Sequence, residues 1–232
     1  MRKINFGIIQ FPGSNCEEDC FNVINNILKQ NCKYIWHDSN NFTNIDCIII
    51  PGGFSYGDYL RTGAIAAQSK ISYKIKDFAN RGGIVVGICN GFQILTELKL
   101  LPGVLLRNQS LNFICKDVLI RIEDNATRFT NLYEHGQIIR IPIAHAEGNL
   151  YLSKEEIGSI KKNNQIMFTY CDGNGEPTVE SNPNGSILNI AGLSNKKGNV
   201  LGLMPHPERA SDIVLGNTDG KKLFESIINY IN

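Results

Sequence analysis

The chain has 232 residues and a formal net charge of +1, so we expect a single domain over 1–232 with no surface for nucleic acid. No apolar run approaches the length of a membrane span, and the N-terminus lacks the apolar region of a signal peptide. The seven cysteines are scattered, odd in number and without a C-x-x-C pair, which argues against a disulfide framework or a zinc knuckle and favours the reducing cytoplasm.

The first half of the chain alternates predicted strands with predicted helices. Strand-like runs cover 3–10, 32–37, 46–50 and 83–88, and apolar residues at helical spacing cover 15–30 and 64–79. This alternation is typical of a mostly parallel sheet with helices on both faces.

The second half has a different pattern, with short, turn-separated strands and little helix. Strand-like runs cover 117–122, 137–143, 165–171, 186–191 and 200–204, and helical patterns cover 153–161 and 221–231. We expect the last strand-like run to be a buried strand and the others to add antiparallel strands at one side of the sheet.

The most informative stretch is the strand, turn and helix around Cys89. An apolar, β-branched run leads into Gly87-Ile88-Cys89-Asn90-Gly91, and a helix-like pattern follows. This is the layout of a nucleophile elbow with sulfur in place of oxygen, in which the sharp turn requires glycine on both flanks. A free cysteine at a strand end is more often a small buried hydrophobe, but the two glycines favour a catalytic thiol.

His206 is the candidate base for this thiol. It follows the strand-like run 200–204 and lies between two prolines, which fix the direction of the backbone. Glu208, two residues on, would point the same way in an extended segment and could bind one ring nitrogen. A strand-end turn stiffened by prolines is the alternative, and pairing with Cys89 favours a triad.

Two backbone amides are candidates for an oxyanion hole. The run 46–50 ends in Pro51-Gly52-Gly53, so the amide of Gly53 is not covered by a side chain. The amide of Asn90, next after the nucleophile, would be the second donor. Two glycines are also typical of a plain turn.

Together, the run 87–93, the Pro51–Gly53 loop and the late His-Pro-Glu at 206–208 resemble the class I (triad-type) glutamine amidotransferases. The resemblance implies a flavodoxin-like α/β fold, with a mostly parallel central sheet flanked by helices and added antiparallel strands. It also implies a glutaminase in which Cys89 attacks the side-chain amide of glutamine, His206 moves the proton and Glu208 orients His206.

Longer runs of the sequence point to one subgroup of this family. The runs at 11–16, 51–61, 143–148, 182–192 and 204–210 are similar to those of the separate glutaminase subunits that serve de novo purine biosynthesis. This implies two partners, a large synthetase subunit that uses ATP and magnesium and a small bridging subunit, with no cofactor or metal in this chain.

The resemblance implies further roles around the site. Phe54 and His145 are expected in the glutamine pocket, with a structural role as the alternative for His145, and Gln93 is expected to brace the site or the substrate. Asp58 and Arg61 are expected to contact the synthetase or to form part of the pocket, with a solvated loop as the alternative. Two alternatives remain open: a glutaminase that serves another biosynthetic acceptor, and a non-catalytic scaffold with this fold. The long loop after Gly53 argues against the first, and intact Cys89 and His206 argue against the second.

Overall fold

The computed structural model describes residues 2–39 and 42–232. Within these ranges the strands are β1 Asn5–Gln10, β2 Asn31–Trp36, β3 Cys47–Ile50, β4 Ile84–Ile88, β5 Val104–Leu106, β6 Ile114–Ile122, β7 Ile138–His145, β8 Asn149–Tyr151, β9 Ile166–Tyr170, β10 Ile190–Ser194 and β11 Val200–Leu203. The α-helices are α1 Glu17–Phe21, α2 Ala64–Ala67, α3 Lys70–Asn80, α4 Asn90–Glu97, α5 Lys154–Lys162 and α6 Lys221–Ile231.

Nine of these strands form one mixed sheet in the order β2-β1-β3-β4-β11-β10-β9-β6-β7. The first five strands in this order are parallel to one another. From β11 onward each neighbour is antiparallel. The expectation of a mostly parallel sheet flanked by helices, with antiparallel additions at one side, is therefore confirmed.

The centre of the sheet is apolar along its whole length. Every residue of β3, β4 and β11 is buried, as expected for strands covered on both faces. These three strands run in the same direction, so their carboxyl ends meet at one edge of the sheet. Loops that follow parallel strands at such an edge commonly carry ligand sites.

Several local predictions differ from the structure. The expected helix 64–79 is broken, because Ser69 is extended and its hydroxyl, like that of Ser72, donates to the carbonyl of Ala66. The expected helix 15–30 begins as α1 and continues as a π-helix over Asn22–Ile27.

The strand expected at 186–191 begins only at Ile190. Ile187–Asn189 forms a short 3-10 turn, and the hydroxyl of Ser186 donates to the carbonyl of Ile190 at 2.7 Å. The two-stranded ribbon of β5 and β8 was not predicted, because three-residue strands carry too little periodicity. None of the helices in the described ranges combines the length and apolarity needed to cross a lipid bilayer.

Candidate active site

Cys89 lies at the turn between β4 and α4, at the carboxyl edge of the central strands. Its backbone is left-handed, with φ of 51°, and its N–H donates to the carbonyl of Leu203 in β11 at 2.8 Å. A non-glycine residue in this conformation is held there by its surroundings, as is expected at a nucleophile elbow. The Cys89 thiol is nearly buried and lies 3.7 Å from the carbonyl oxygen of Ala144, at the end of β7.

Close backbone packing explains the two glycines of the elbow. A Cβ on Gly91 would lie 2.0 Å from the carbonyl oxygen of Ile50, and one on Gly87 would lie 2.6 Å from the carbonyl of Gly91. Both distances are far inside van der Waals contact, so neither position accepts a side chain without moving α4 away from the sheet.

His206 lies just beyond the end of β11, the strand next to β4. Its N–H donates to the carbonyl of Pro142 at 2.8 Å, which ties the loop to β7. Its ring Nδ1 donates to Oε1 of Glu208 at 2.6 Å, and both side chains are buried. The segment is not extended as expected, because Pro207–Ala210 forms a 3-10 turn, but the turn still brings the carboxylate to the ring.

The electrostatics of His206 favour its protonated form. Burial alone would lower the pKa of the imidazole, but the charge of Glu208 and that of a Cys89 thiolate outweigh burial and hold the pKa well above its ordinary value. A buried imidazole with these neighbours is suited to take and keep the proton of an attacking thiol.

Gly52 separates the thiol from the imidazole. A Cβ on Gly52 would lie 2.7 Å from Cε1 of His206 and 3.4 Å from Cβ of Cys89. The missing side chain therefore lets the Cys89 side chain and the His206 ring approach each other across this loop.

The two predicted oxyanion donors belong to the loop after β3 and to the start of α4. Gly53 has φ of 140° and pairs with Ser14 in an isolated antiparallel bridge. Asn90 is the first residue of α4, where a backbone N–H has no partner within the helix. Their roles as oxyanion donors stay a prediction.

A cavity of about 250 Å³ opens at this point, with Cys89, His206, Gly53 and Phe54 in its wall. Pockets for drug-sized ligands span roughly 300–1,000 Å³, so this cavity fits a smaller molecule such as a single amino acid. Phe54 is half-exposed at its edge, where it can contact a bound substrate.

The amide of Gln93 is hydrogen-bonded to the protein at both ends. Its Oε1 accepts from the side chain of Asn90 at 2.9 Å, and its Nε2 donates to the carbonyl of Glu147 at 2.6 Å. Gln93 thus braces α4 against the segment after β7, and its expected contact with glutamine stays a prediction.

His145 is buried behind the cavity and is not part of its wall. Its Nδ1 donates to Oδ1 of Asn108, and that oxygen also accepts from the N–H of Gly148. Burial lowers the pKa of His145 to about 4, so the imidazole is neutral near pH 7. Its expected place in the glutamine pocket stays a prediction.

The predicted contact residues lie on the loop between β3 and α2. Arg61 donates twice to the carboxylate of Glu97, at 2.8 and 2.6 Å. Asp58 is half-buried 3.5 Å from Nδ2 of Asn90, and burial, with the nearby charge of Glu147, raises its pKa to about 6. Both residues connect the loop to α4, and their contact with a partner stays a prediction.

Sequence reasoning gave no role to two further residues of the site, Cys16 and Arg209. Both line the cavity, and the guanidinium of Arg209 donates to Sγ of Cys16 at 3.2 Å. Arg209 directly follows the His-Pro-Glu run, which is a signal that could have found it. Cys16 is far from this run in the sequence, and only the pairing of the 11–16 loop with Gly53 brings it here.

Comparisons with known proteins show the family to which the chain belongs. A model of the CobB/CobQ-like glutamine amidotransferase domain matches residues 3–231. Phosphoribosylformylglycinamidine synthase subunit PurQ of Moorella thermoacetica is 51% identical over 227 residues, covering 98% of this chain and 96% of that protein. The same subunit of Alkaliphilus metalliredigens is 53% identical over 228 residues, covering 98% and 97%.

Solved structures extend the likeness to the fold. A chain in the structure of PurLQS from Thermotoga maritima is 43% identical, with a TM-score of 0.88 and full coverage of both chains. A glutamine amidotransferase of Thermotoga maritima that is only 14% identical shares the fold, with a TM-score of 0.56 over 99% of this chain and 92% of that one. The chain therefore belongs to the CobB/CobQ-like glutamine amidotransferase family, and within it to the PurQ group of phosphoribosylformylglycinamidine synthase subunits.

Proposed function

We propose that this chain is a glutaminase that supplies ammonia to a phosphoribosylformylglycinamidine synthase, with Cys89, His206 and Glu208 as its catalytic triad. The proposal rests on one observation above all: the nucleophile elbow and the His206–Glu208 pair meet at the wall of one cavity. The similarity to PurQ subunits over nearly the whole chain supports the choice of synthase.

The reaction follows from the positions of these groups. His206 takes the thiol proton of Cys89, and the thiolate attacks the side-chain amide carbon of glutamine. The amides of Gly53 and Asn90 hold the oxyanion as the tetrahedral intermediate forms. His206 then gives its proton to the leaving ammonia, and a thioester remains on Cys89.

The second half-reaction uses the same groups. His206, held in place by Glu208, takes a proton from water, which attacks the thioester and releases glutamate. Burial of His206 and Glu208 keeps their mutual attraction strong, because little water screens it.

The partners follow from the same proposal. The ammonia passes to a large synthetase subunit, which uses ATP and magnesium to convert formylglycinamide ribonucleotide to the amidine, and a small subunit bridges the complex. The likeness to a chain of PurLQS supports these two partners. A cytoplasmic location fits them, because all seven cysteines are free thiols and the nucleophile must stay reduced.

Substitution of the nucleophile tests the proposal. Cys89→Ala should abolish glutamine-dependent synthesis by the assembled complex and leave ammonia-dependent synthesis largely intact, because the acceptor chemistry needs only ammonia. Cys115→Ser, which removes an exposed thiol at the same cavity, is the matched control and should keep both activities. If Cys89→Ala keeps more than a few per cent of wild-type glutamine hydrolysis, the assignment of the nucleophile is wrong.

A mass-spectrometric experiment separates an enzyme from a scaffold with this fold. Acid quenching of the wild-type chain during turnover should trap a glutamyl adduct, and peptide mapping should place it on Cys89. An unmodified Cys89 in a complex that consumes glutamine would exclude the thioester route.

A further inference from the structure

A second buried thiol lies beside the catalytic base and has no part in the mechanism above. Cys16 is buried at the cavity, and its Sγ donates to Oδ1 of Asn15 at 3.0 Å and accepts from Arg209 at 3.2 Å. The position that a Cβ on Gly52 would take lies 3.1 Å from this sulfur and 2.7 Å from Cε1 of His206. The thiol is therefore close to the imidazole that serves Cys89.

Cys16, His206 and Glu208 together form a compact cluster. One ligand atom from each, the sulfur, a ring nitrogen and a carboxylate oxygen, lie within 4.8 Å of one another, and all three residues are buried. Oε2 of Glu208 is buried without a hydrogen-bond partner in the described part of the chain. A buried polar atom of this kind is rare, and an ion is one explanation for it. Nδ1 of His206, which lies 2.6 Å from the other oxygen of this carboxylate, is the ring nitrogen that faces the same space.

The chemistry of the three ligands selects the ion. Thiolate, imidazole and carboxylate are the donors that zinc takes, at about 2.0–2.3 Å and in tetrahedral geometry. Such a geometry sets ligand atoms roughly 3.3–3.8 Å apart, so side-chain shifts of about an ångström would close the cluster around one ion.

The charges around the cluster are also compatible with a divalent cation. A deprotonated Cys16 and an ionised Glu208 together balance two positive charges. Arg209 donates to the sulfur as N–H groups do around metal thiolates, and its own charge is offset by Asp19 at 3.0 Å.

We propose that Cys16, His206 and Glu208 bind a zinc ion, with a fourth position open to the cavity, and that the bound ion reversibly inhibits glutamine hydrolysis. The inhibitory half of this proposal rests on the proposed function, since zinc withdraws His206 and Glu208 from the triad. Binding releases the thiol proton of Cys16 and the Nδ1 proton of His206 to solvent, and it involves no change of oxidation state. Cys89 is not a ligand, so inhibition through this site is distinct from inhibition by a metal that binds the Cys89 thiol.

Cobalt(II) is the probe for the binding half, because its bond to a thiolate absorbs in the near ultraviolet. The Cys89→Ala chain, titrated with cobalt(II), should develop this absorption with one ion bound per chain and lose it on addition of zinc. Cys16→Ser should lose the absorption, because a hydroxyl is a poor ligand, and Cys115→Ser should keep it. Absorption that disappears in Cys89→Ala, or that persists in a folded Cys16→Ser, would overturn the site.

Zinc inhibition in the assembled complex tests the second half. The zinc concentration for half-inhibition, measured against each variant's own uninhibited rate, should rise at least tenfold in Cys16→Ser and stay unchanged in Cys115→Ser. If Cys16→Ser does not fold, Glu208→Gln in the Cys89→Ala chain gives a second reading, as it should weaken cobalt binding at least tenfold. Unaltered binding in that variant would refute the ligand set.

The two proposals fail in different ways. A chain that binds cobalt through Cys16 but hydrolyses no glutamine disproves the glutaminase assignment and keeps the metal site. A chain that hydrolyses glutamine but gives no thiolate absorption disproves the metal site and keeps the glutaminase.

Discussion

The imidazole of His206 is held by a carboxylate on one side and two thiols near the other. Its bond to Glu208 is short at 2.6 Å, and neither residue is accessible to solvent. In the proposed mechanism the carboxylate fixes the ring and stabilises its charge, while the ring itself moves the proton. The two side chains should therefore contribute unequally to turnover.

Paired substitutions measure this inequality. His206→Ala should lower kcat for glutamine hydrolysis in the assembled complex by about 10²–10⁴-fold, because the general base is lost. Glu208→Gln should cost less, because an amide oxygen can still accept from Nδ1. Equal or reversed losses in two folded variants would show that these roles are misassigned.

A second residue-scale prediction concerns Asp58. Burial and the charge of Glu147 raise its pKa to about 6 in the fold, while an unfolded chain keeps it near 4. Above pH 6 the folded state thus carries a carboxylate that its surroundings disfavour, and below about pH 4 the group is protonated in both states. Asp58→Asn should raise the Tm above pH 6, and the gain should shrink as the pH falls to 4.

Thermal unfolding from pH 4 to 8 checks this sign. Asp77→Asn, on the exposed side of α3, controls for the exchange of an acid for an amide and should show no such growth with pH. A gain for Asp58→Asn that is the same at pH 4 and pH 8 would exclude titration of Asp58 as its cause.

At the scale of elements, the contact of α4 with β3 fixes the direction of the Cys89 side chain. Gly91→Ala would place a methyl group 2.0 Å from the carbonyl oxygen of Ile50. The helix must then move, at a cost of about 1–3 kcal/mol, and Cys89 at its N-terminus moves with it. Denaturant unfolding should show a lower midpoint, and kcat should fall.

Gly158→Ala in α5 is the matched control. Apart from its chain neighbours and the backbone of its own helix, no atom lies within 4 Å of the position that its Cβ would take, and the residue is on the exposed side of α5. This substitution should stabilise the chain by up to about 1 kcal/mol and leave kcat unchanged. Similar midpoints for the two variants would contradict the packing argument.

The central elements were predictable because their patterns are strong. β4 and β11 are short apolar runs bounded by turn residues, and their predicted limits differ from the observed ones by one residue. The break between α2 and α3 was not predictable, because helical spacing of apolar residues continues across Ser69. Hydroxyl groups that compete for a backbone carbonyl leave no periodic signal.

The candidate site also contains residues that the sequence predicts and residues that it does not. Cys89, His206 and Glu208 could be proposed from the sequence because each lies in a local motif with its own chemistry, and their catalytic roles stay a prediction. Cys16 was not, because its nearness to His206 depends on how two loops pack and not on spacing in the chain. The place of Cys16 in the site follows from the packing of these loops and cannot be read from the residue types alone.

At the scale of the molecule, we expect the loop between β3 and α2 to transmit binding of the synthetase to the site, and we call this coupling the relay. Released ammonia is wasted without an acceptor, so the isolated chain should hydrolyse glutamine slowly. A peptide flip at Gly52-Gly53 would remove one oxyanion donor, at a cost of about 10²–10³ in kcat. Adding the synthetase should raise kcat by that factor or less, and should change KM by a smaller factor.

Arg61→Ala tests this relay. It breaks the pair of hydrogen bonds to Glu97 and should blunt activation while leaving the slow basal rate nearly unchanged. Arg81→Ala, which breaks an exposed ion pair with Asp77, should activate normally. An isolated chain that is already as fast as the complex would disprove the relay and leave the triad unaffected.

The position of β11 has a consequence for the making of the protein. It is the strand that joins the parallel half of the sheet to the antiparallel half, and it comes from residues 200–203. Until the ribosome has released this segment, β4 and β10 are open edges, and His206, which follows β11, is not yet in place beside Cys89. Under the proposed mechanism an unfinished or truncated chain is therefore inert toward glutamine, because the strand that completes the sheet also brings in the base.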